Sequence, residues 1–104
     1  MIKIIENYSD NNYWYRKYDD GLIEQGGKVM QTIGTDGTYI YTFPRAFTST
    51  PIYMNITVIA PRSSDSYGHE FTIKKDYLLS TEVTIFNDCY GANVQGFYWE
   101  AIGY

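Results

Sequence analysis

The sequence predicts an all-β protein, a single antiparallel β-sandwich of about eight short strands. Three observations predict it. Apolar and polar residues alternate at period two in one segment after another. Clusters of Gly, Pro, Asp and Asn break these segments at roughly 8–12-residue intervals, the rhythm of a sandwich. The chain is also rich in Tyr (12 of 104 residues, beside 5 Phe and 2 Trp), a residue that suits pleated, half-buried surfaces. No window sustains a 3.6-residue apolar period, which argues against long helices. No internal repeat is visible, which argues against propellers and solenoids.

Residues 1–11, ending in a polar Asn-Tyr-Ser-Asp-Asn-Asn run, read as a lead-in or stalk end, and residues 12–104 as the sandwich. Tyr13–Tyr18 is a strand with large residues on both faces. Asp19-Asp20-Gly21 is a tight hairpin turn, since Gly reaches a positive φ at little cost. Leu22–Gly27 returns as the partner strand, and Gly26-Gly27 is expected to bend or bulge it. Val29–Ile33 is a further short strand in this reading. Gly34-Thr35-Asp36-Gly37 is a second turn with the Asp-Gly signal, followed by a strand over 38–43 with Tyr39, Tyr41 and Phe43 on one face.

After a connection over 47–51, Ile52–Ala60 is the clearest strand, with Ile52, Met54, Ile56, Val58 and Ala60 facing inward. A polar loop follows over 61–68. Segment 70–75 places Phe71 and Ile73 on one face, and 79–85 turns Leu79, Val83 and Ile85 inward. Residues 87–93 form a loop, and the 97–101 strand turns Phe97, Trp99 and Ala101 in and Tyr98 and Glu100 out. The predicted core is Trp14, Ile52, Met54, Ile56, Val58, Val83, Ile85, Phe97 and Trp99.

The formal charge is −4, from 8 Lys and Arg against 12 Asp and Glu. That balance argues against a phosphate-backbone partner and against an anionic membrane surface, both of which need a basic patch. No apolar run approaches the ~20 residues of a membrane span, so no membrane insertion is expected. The first residues lack the apolar core and cleavage site of a signal peptide, so synthesis in the cytoplasm is expected. A lone cysteine, Cys89, allows no intrachain disulfide and no Cys-x-x-Cys zinc site.

Chemistry-bearing motifs are scarce. His69 is the sole histidine, with no nucleophile elbow or metal-ligand spacing around it. Asp65 with Glu70, and Asp88 with Glu100, are the carboxylate pairs a glycosidase reading would need, but a solvated acidic surface is the better explanation, since twelve acidic groups on a small domain will often be neighbours. No phosphate-binding or dinucleotide fingerprint is present. The expectation is a non-enzyme without cofactor or metal.

Recognition by surface loops is what remains. Loop 62–69 mixes Tyr, Ser and Gly with one cation and one anion, the composition of an adaptable binding loop. Loop 87–93 has a similar mix. Arg62, Asp65, Tyr67, His69, Asp88 and Tyr90 are the candidate ligand-binding residues. An aromatic face can stack on a sugar while Asp and Arg bond its hydroxyls. Tyr13, Tyr15, Tyr39, Tyr41 and Tyr98 exceed what one small core absorbs, and are candidates, some of them, for contacts between subunits.

Trp14-Tyr15-Arg16-Lys17-Tyr18-Asp19-Asp20-Gly21-Leu22-Ile23-Glu24-Gln25-Gly26-Gly27 resembles the opening hairpin of the C-terminal, gp53-like domain of bacteriophage tail fibres. That family has a Trp-led strand, an Asp-Gly or Ser-Gly turn, and a return strand ending in Gln-x-Gly. Phe97-Tyr98-Trp99-Glu100-Ala101-Ile102-Gly103 resembles its Trp-x-Ala-x-Gly close. The stretch from Phe43 through Pro51 into the Ile52–Ala60 strand is similar to the Phe-x-Pro-then-strand pattern found there and in H-type lectins. The resemblance spans about residues 12–104.

It implies an H-type-lectin-like sandwich at the distal tip of a virion tail fibre. It also implies a parallel homotrimer, joined to the remainder of the fibre, that binds a host-cell surface glycan or protein. The resemblance carries the sugar-binding loops of H-type lectins over to 62–69 and 87–93 here, without a residue-level match. A fibre also has a shaft and a particle-attachment region, which this sequence lacks. A fragment of a longer fibre and a stand-alone prophage product both stay open. So do two alternatives: a free H-type-like lectin, and a purely structural trimerisation module.

Overall fold

A computed structural model of the chain describes residues 1–60, 71–88 and 94–104. Eight strands form two antiparallel sheets. They are β1 (Ile4–Ser9), β2 (Tyr13–Tyr18), β3 (Ile23–Val29), β4 (Thr38–Thr42), β5 (Tyr53–Ile59), β6 (Phe71–Leu78), β7 (Glu82–Asn87) and β8 (Gly96–Gly103). The larger sheet runs β1-β2-β3-β8-β5 and the smaller β4-β7-β6. The all-β sandwich predicted from the alternation is the fold observed.

The core lies between the smaller sheet and strands β3, β8 and β5. Ile23, Phe97, Trp99 and Ala101 meet Val83 and Ile85 there, with Met54, Ile56, Val58, Phe71, Ile73 and Leu78 packed around them. Phe43 and Phe47, on the link from β4 to β5, and Ile33 and Val94, joined by an isolated bridge, close its ends. Each residue buried this completely contributes about 1.5–3 kcal/mol of transfer free energy.

No residue of β1 or β2 belongs to this core, because three strands cannot cover five. The β1–β2 pair is therefore a wing. On the wing's inner face Tyr8 stacks on Tyr13 and Tyr15, with ring centroids 5.2 and 5.6 Å apart. A latch ties the wing to the smaller sheet's side. Fully buried Gln25 donates from Nε2 to the Arg45 carbonyl (2.7 Å) and accepts from the Arg45 N–H (3.1 Å). Arg45 in turn makes a two-pronged ion pair with Glu6 on β1, at 2.9 and 3.1 Å. This fork holds the Glu6 carboxyl below the usual carboxylate range.

Several expectations are corrected. The lead-in contains a strand: β1 pairs with β2 from Ile4 to Ser9. Its polar Asn-Tyr-Ser residues hid it because neither face of β1 enters the core. Gly26-Gly27 does not bulge β3, whose register to both neighbours is continuous. Val29 ends β3, and Ile33 makes only its bridge to Val94. Ile52 and Leu79 are exposed, because β5 starts at Tyr53 and β7 at Glu82, so the alternation does not extend back to them. Buried Pro51 takes the inward place beside Gly103.

Trp14 also leaves the predicted core, standing half-buried on the outer face of the larger sheet. Tyr39 and Tyr41 move the other way. Their rings pack on Phe97, and Tyr41 also meets Trp99 at 5.1 Å, so both pack, half-buried, against the core. Burial pushes the Tyr41 phenol up to about 12.

Candidate functional site

Alternation in the larger sheet sends one set of side chains to the core and the other to an outer face that, among the described residues, no second sheet covers. Register places Trp14, Gly26, Glu100 and Asn55 in one row across β2, β3, β8 and β5. Lys28, Tyr98 and Thr57 form the next row. The β1–β2 turn, residues Asp10–Asn12, rises beside them. Together they bound an open groove of about 390 Å³.

Two glycines shape it. A Cβ on Gly26 would lie 3.1 Å from the Trp14 indole and 2.7 Å from the Trp99 carbonyl oxygen. The indole therefore occupies the space a side chain at 26 would need. A Cβ on Gly27 would lie 2.3 Å from the Asn12 carbonyl oxygen, so any larger residue would push the turn away. The turn is also hydrogen-bonded down, from the Lys28 N–H to the Asn12 carbonyl at 2.9 Å.

Asp10 organises the turn. Its Oδ1 accepts the N–H groups of Asn12 (2.7 Å) and Tyr13 (2.9 Å), an Asx-type arrangement, and its Oδ2 accepts the Tyr8 hydroxyl at 2.9 Å. The backbone donors of Tyr13 and Asn12, then the Tyr8 hydroxyl, hold the Asp10 carboxyl below its ordinary value. The same carboxylate pushes the Tyr8 phenol up to about 12. Beside the groove, the Arg16 guanidinium lies 4.8 Å from the Trp14 ring centroid. Glu24 accepts the Tyr18 hydroxyl and faces Arg16 at 3.8 Å.

Among the described residues, no three His, Cys, Asp or Glu side chains come together as a metal site. Of the residues predicted to bind ligand, Arg62, Asp65, Tyr67, His69 and Tyr90 lie outside the described residues. Asp88 is exposed just after β7 and accepts the Thr72 hydroxyl at 2.5 Å. Its pairing with Glu100 as two catalytic carboxylates fails. Thr72 faces away from the core on the smaller sheet, and Glu100 faces away on the larger one.

The groove residues were missed as a site. Trp14 read as core, Tyr98 as a subunit contact, and Asn55 and Thr57 only as an outer strand face. The available signal was the Gly26-Gly27 pair next to a Trp-led strand.

The chain matches the family model for the C-terminal part of gp53-like tail fiber proteins over residues 17–104. It belongs to this family. Its fold is similar to that of the N-truncated R1-type pyocin tail fiber, at 25% identity and a TM-score of 0.70, covering 95% of this chain and 84% of that one. The C-terminal R1 pyocin fiber from P. aeruginosa gives the same identity and TM-score, but only 28% of that longer chain is covered. The N-truncated R2-type pyocin fiber matches all of this chain at 24% identity and a TM-score of 0.60, a likeness of fold. A search of curated proteins returns no match. The chain is thus a C-terminal tail-fibre domain of phage or pyocin type, a component of a virion or similar particle.

Proposed function

We propose that this domain is the receptor-binding tip of a tail fibre. It adheres to a host-cell surface glycan or protein, assembled as a homotrimer with the remainder of the fibre, and without catalysis. The observation that carries the reading is the groove on a family member's outer sheet face, lined by aromatic and hydrogen-bonding side chains, where Gly26 leaves room for the Trp14 indole and Gly27 for the β1–β2 turn. Fibre membership supports it, since a tail-fibre domain with an unused, built recess has a surface to offer a host cell. Three copies on one fibre would convert a weak site into avidity.

The loop residues Arg62, Asp65, Tyr67, His69, Asp88 and Tyr90 are proposed as further receptor contacts on the strength of their composition. The test is adhesion of the purified, fluorescently labelled protein to a panel of bacterial cells, with its mass measured in solution. Binding to a subset of strains by a trimer is expected. Absence of binding to every strain, with a trimeric mass, would support the trimerisation module instead. A monomeric protein that binds free sugars would support the lectin.

A further inference from the structure

Thirteen large apolar or aromatic side chains are exposed among the described residues, and eight of them gather at one end of the sandwich. That end holds both termini. Lys3 is hydrogen-bonded to Asp19 in the β2–β3 turn, and the Tyr104 carbonyl accepts the Thr48 N–H just ahead of β5.

Five of these side chains lie on two opposite edges. Ile2, Ile4 and Ile5 lie on or beside β1, one free edge of the larger sheet. Ile52 and Tyr53 lie at the start of β5, the other free edge. Register sets Tyr53 in one row with Ile102, Glu24, Arg16 and Asn7. Ile52 is one residue below that row and Ile5 two, so the two apolar edges stand at one height. Four strand spacings, about 19 Å, separate them. The Arg16–Glu24 pair lies between them on the outer face.

We infer that these edges are the contact between subunits of the fibre. Ile2, Ile4 and Ile5 of one copy pack on Ile52 and Tyr53 of the next, around an axis along the strands. The inference rests on the homotrimer reading and names the surface that makes it.

A second copy fits these edges better than another occupant does. Rotation about an axis along the strands keeps every residue at its own height, so edges at one height meet. A ring uses both edges of every copy, whereas a two-fold contact buries one edge against itself and leaves the other bare. A foreign chain would dock on one contiguous patch, and here charges divide the two. β5 also carries no charge, no Pro and no bulge to guard its free edge, the features that blunt an edge left in water. The groove residues Asn55, Thr57 and Tyr98 lie farther along the strands, so this assembly leaves the groove open.

The test is the mass of the 104-residue protein by sedimentation equilibrium, with circular dichroism melts to show that each variant folds. The parent should be a trimer at tens of micromolar. Ile5→Glu and Ile52→Glu each set a carboxylate in every contact. Either should weaken association roughly a hundred-fold or more and give monomers. Met30→Glu, exposed at the opposite end, should stay trimeric. Ile5→Glu combined with Ile52→Lys brings opposite charges together across each contact. It should recover the trimer, more fully at low salt than at high salt.

A trimer that survives both glutamate variants would overturn these edges as the contact while leaving the homotrimer reading intact. Folded, monomeric single variants that the double variant does not rescue would overturn the pairing of one edge with the other. A monomeric parent would overturn the homotrimer reading itself, and the contact with it.

Discussion

Gln25 gives the sharpest test of how the wing is held. Gln25→Ala removes an amide that is fully buried and uses both its ends on the Arg45 backbone. Arg45 is half-exposed, so water can reach part of the vacated N–H and C=O. Each lost partner then costs nearer ~1 kcal/mol than the ~3 kcal/mol of a dry site. The missing side-chain carbons add about 1 kcal/mol of lost packing. The sum is about 3 kcal/mol, which lowers the melting temperature of a domain this size by roughly 12–15 °C.

Scanning calorimetry at one fixed protein concentration reads this directly. Gln25→Glu refines it. The ionised carboxylate keeps the shape but places an acceptor against the Arg45 carbonyl, whereas the protonated acid restores a donor. Its folded-state pKa is therefore raised. Its stabilising contribution should be present below the unfolded carboxylate value near pH 4 and lost as pH rises above it. A melting shift under about 4 °C for Gln25→Ala, or a Gln25→Glu penalty that does not grow with pH, would refute the latch.

Other expectations follow from the same contacts. Phe97→Ala empties the centre of the aromatic cluster and should cost about 3–5 kcal/mol, read by urea unfolding. Gly26→Val forces atoms into the Trp14 indole and the Trp99 carbonyl. It should shift tryptophan emission and destabilise the domain by roughly 1–3 kcal/mol. Acid should loosen the wing before the core. Asp10 and Glu6 have depressed folded-state values, so their stabilisation is present above the ordinary carboxylate range and lost as pH falls through and below it. Hydrogen exchange should show the amides of Asn12 and Tyr13 losing protection below about pH 4, ahead of those of β8.

The sheet order was not legible from sequence, but most strands were. β4, β5 and β8 alternate over enough residues that a half-buried strand is the only economical reading, and Val83, Ile85, Phe97 and Trp99 fall in the core as their parity dictates. β1 was invisible because hydrophobic pattern reports burial, and a wing strand has none to report. Tyr39 and Tyr41 were left out of the predicted core for a related reason. Tyrosine's ring and hydroxyl make it equally at home against Phe97 or in water, so its place depends on which sheet lies opposite. The groove was hidden because it joins residues from strands far apart in sequence. Asn55 meets Glu100, and the two join Gly26 and Trp14 in one row, only once β8 sits between β3 and β5.

Alternation on β3, β5 and β8 has an evolutionary side. Odd and even positions of one strand answer to different selective demands. The inward set is constrained by packing to keep its size and, Gln25 apart, to stay apolar. The outward set at 28, 55, 57, 98 and 100 is exposed, where a substitution typically changes stability by less than about 0.5 kcal/mol. Single codon changes at these five positions can therefore rewrite the recess chemistry while the sandwich stays intact. The chemistry of this face can change one residue at a time, with Gly26 and Gly27, where a Cβ would strike the Trp99 and Asn12 carbonyl oxygens, as its fixed points.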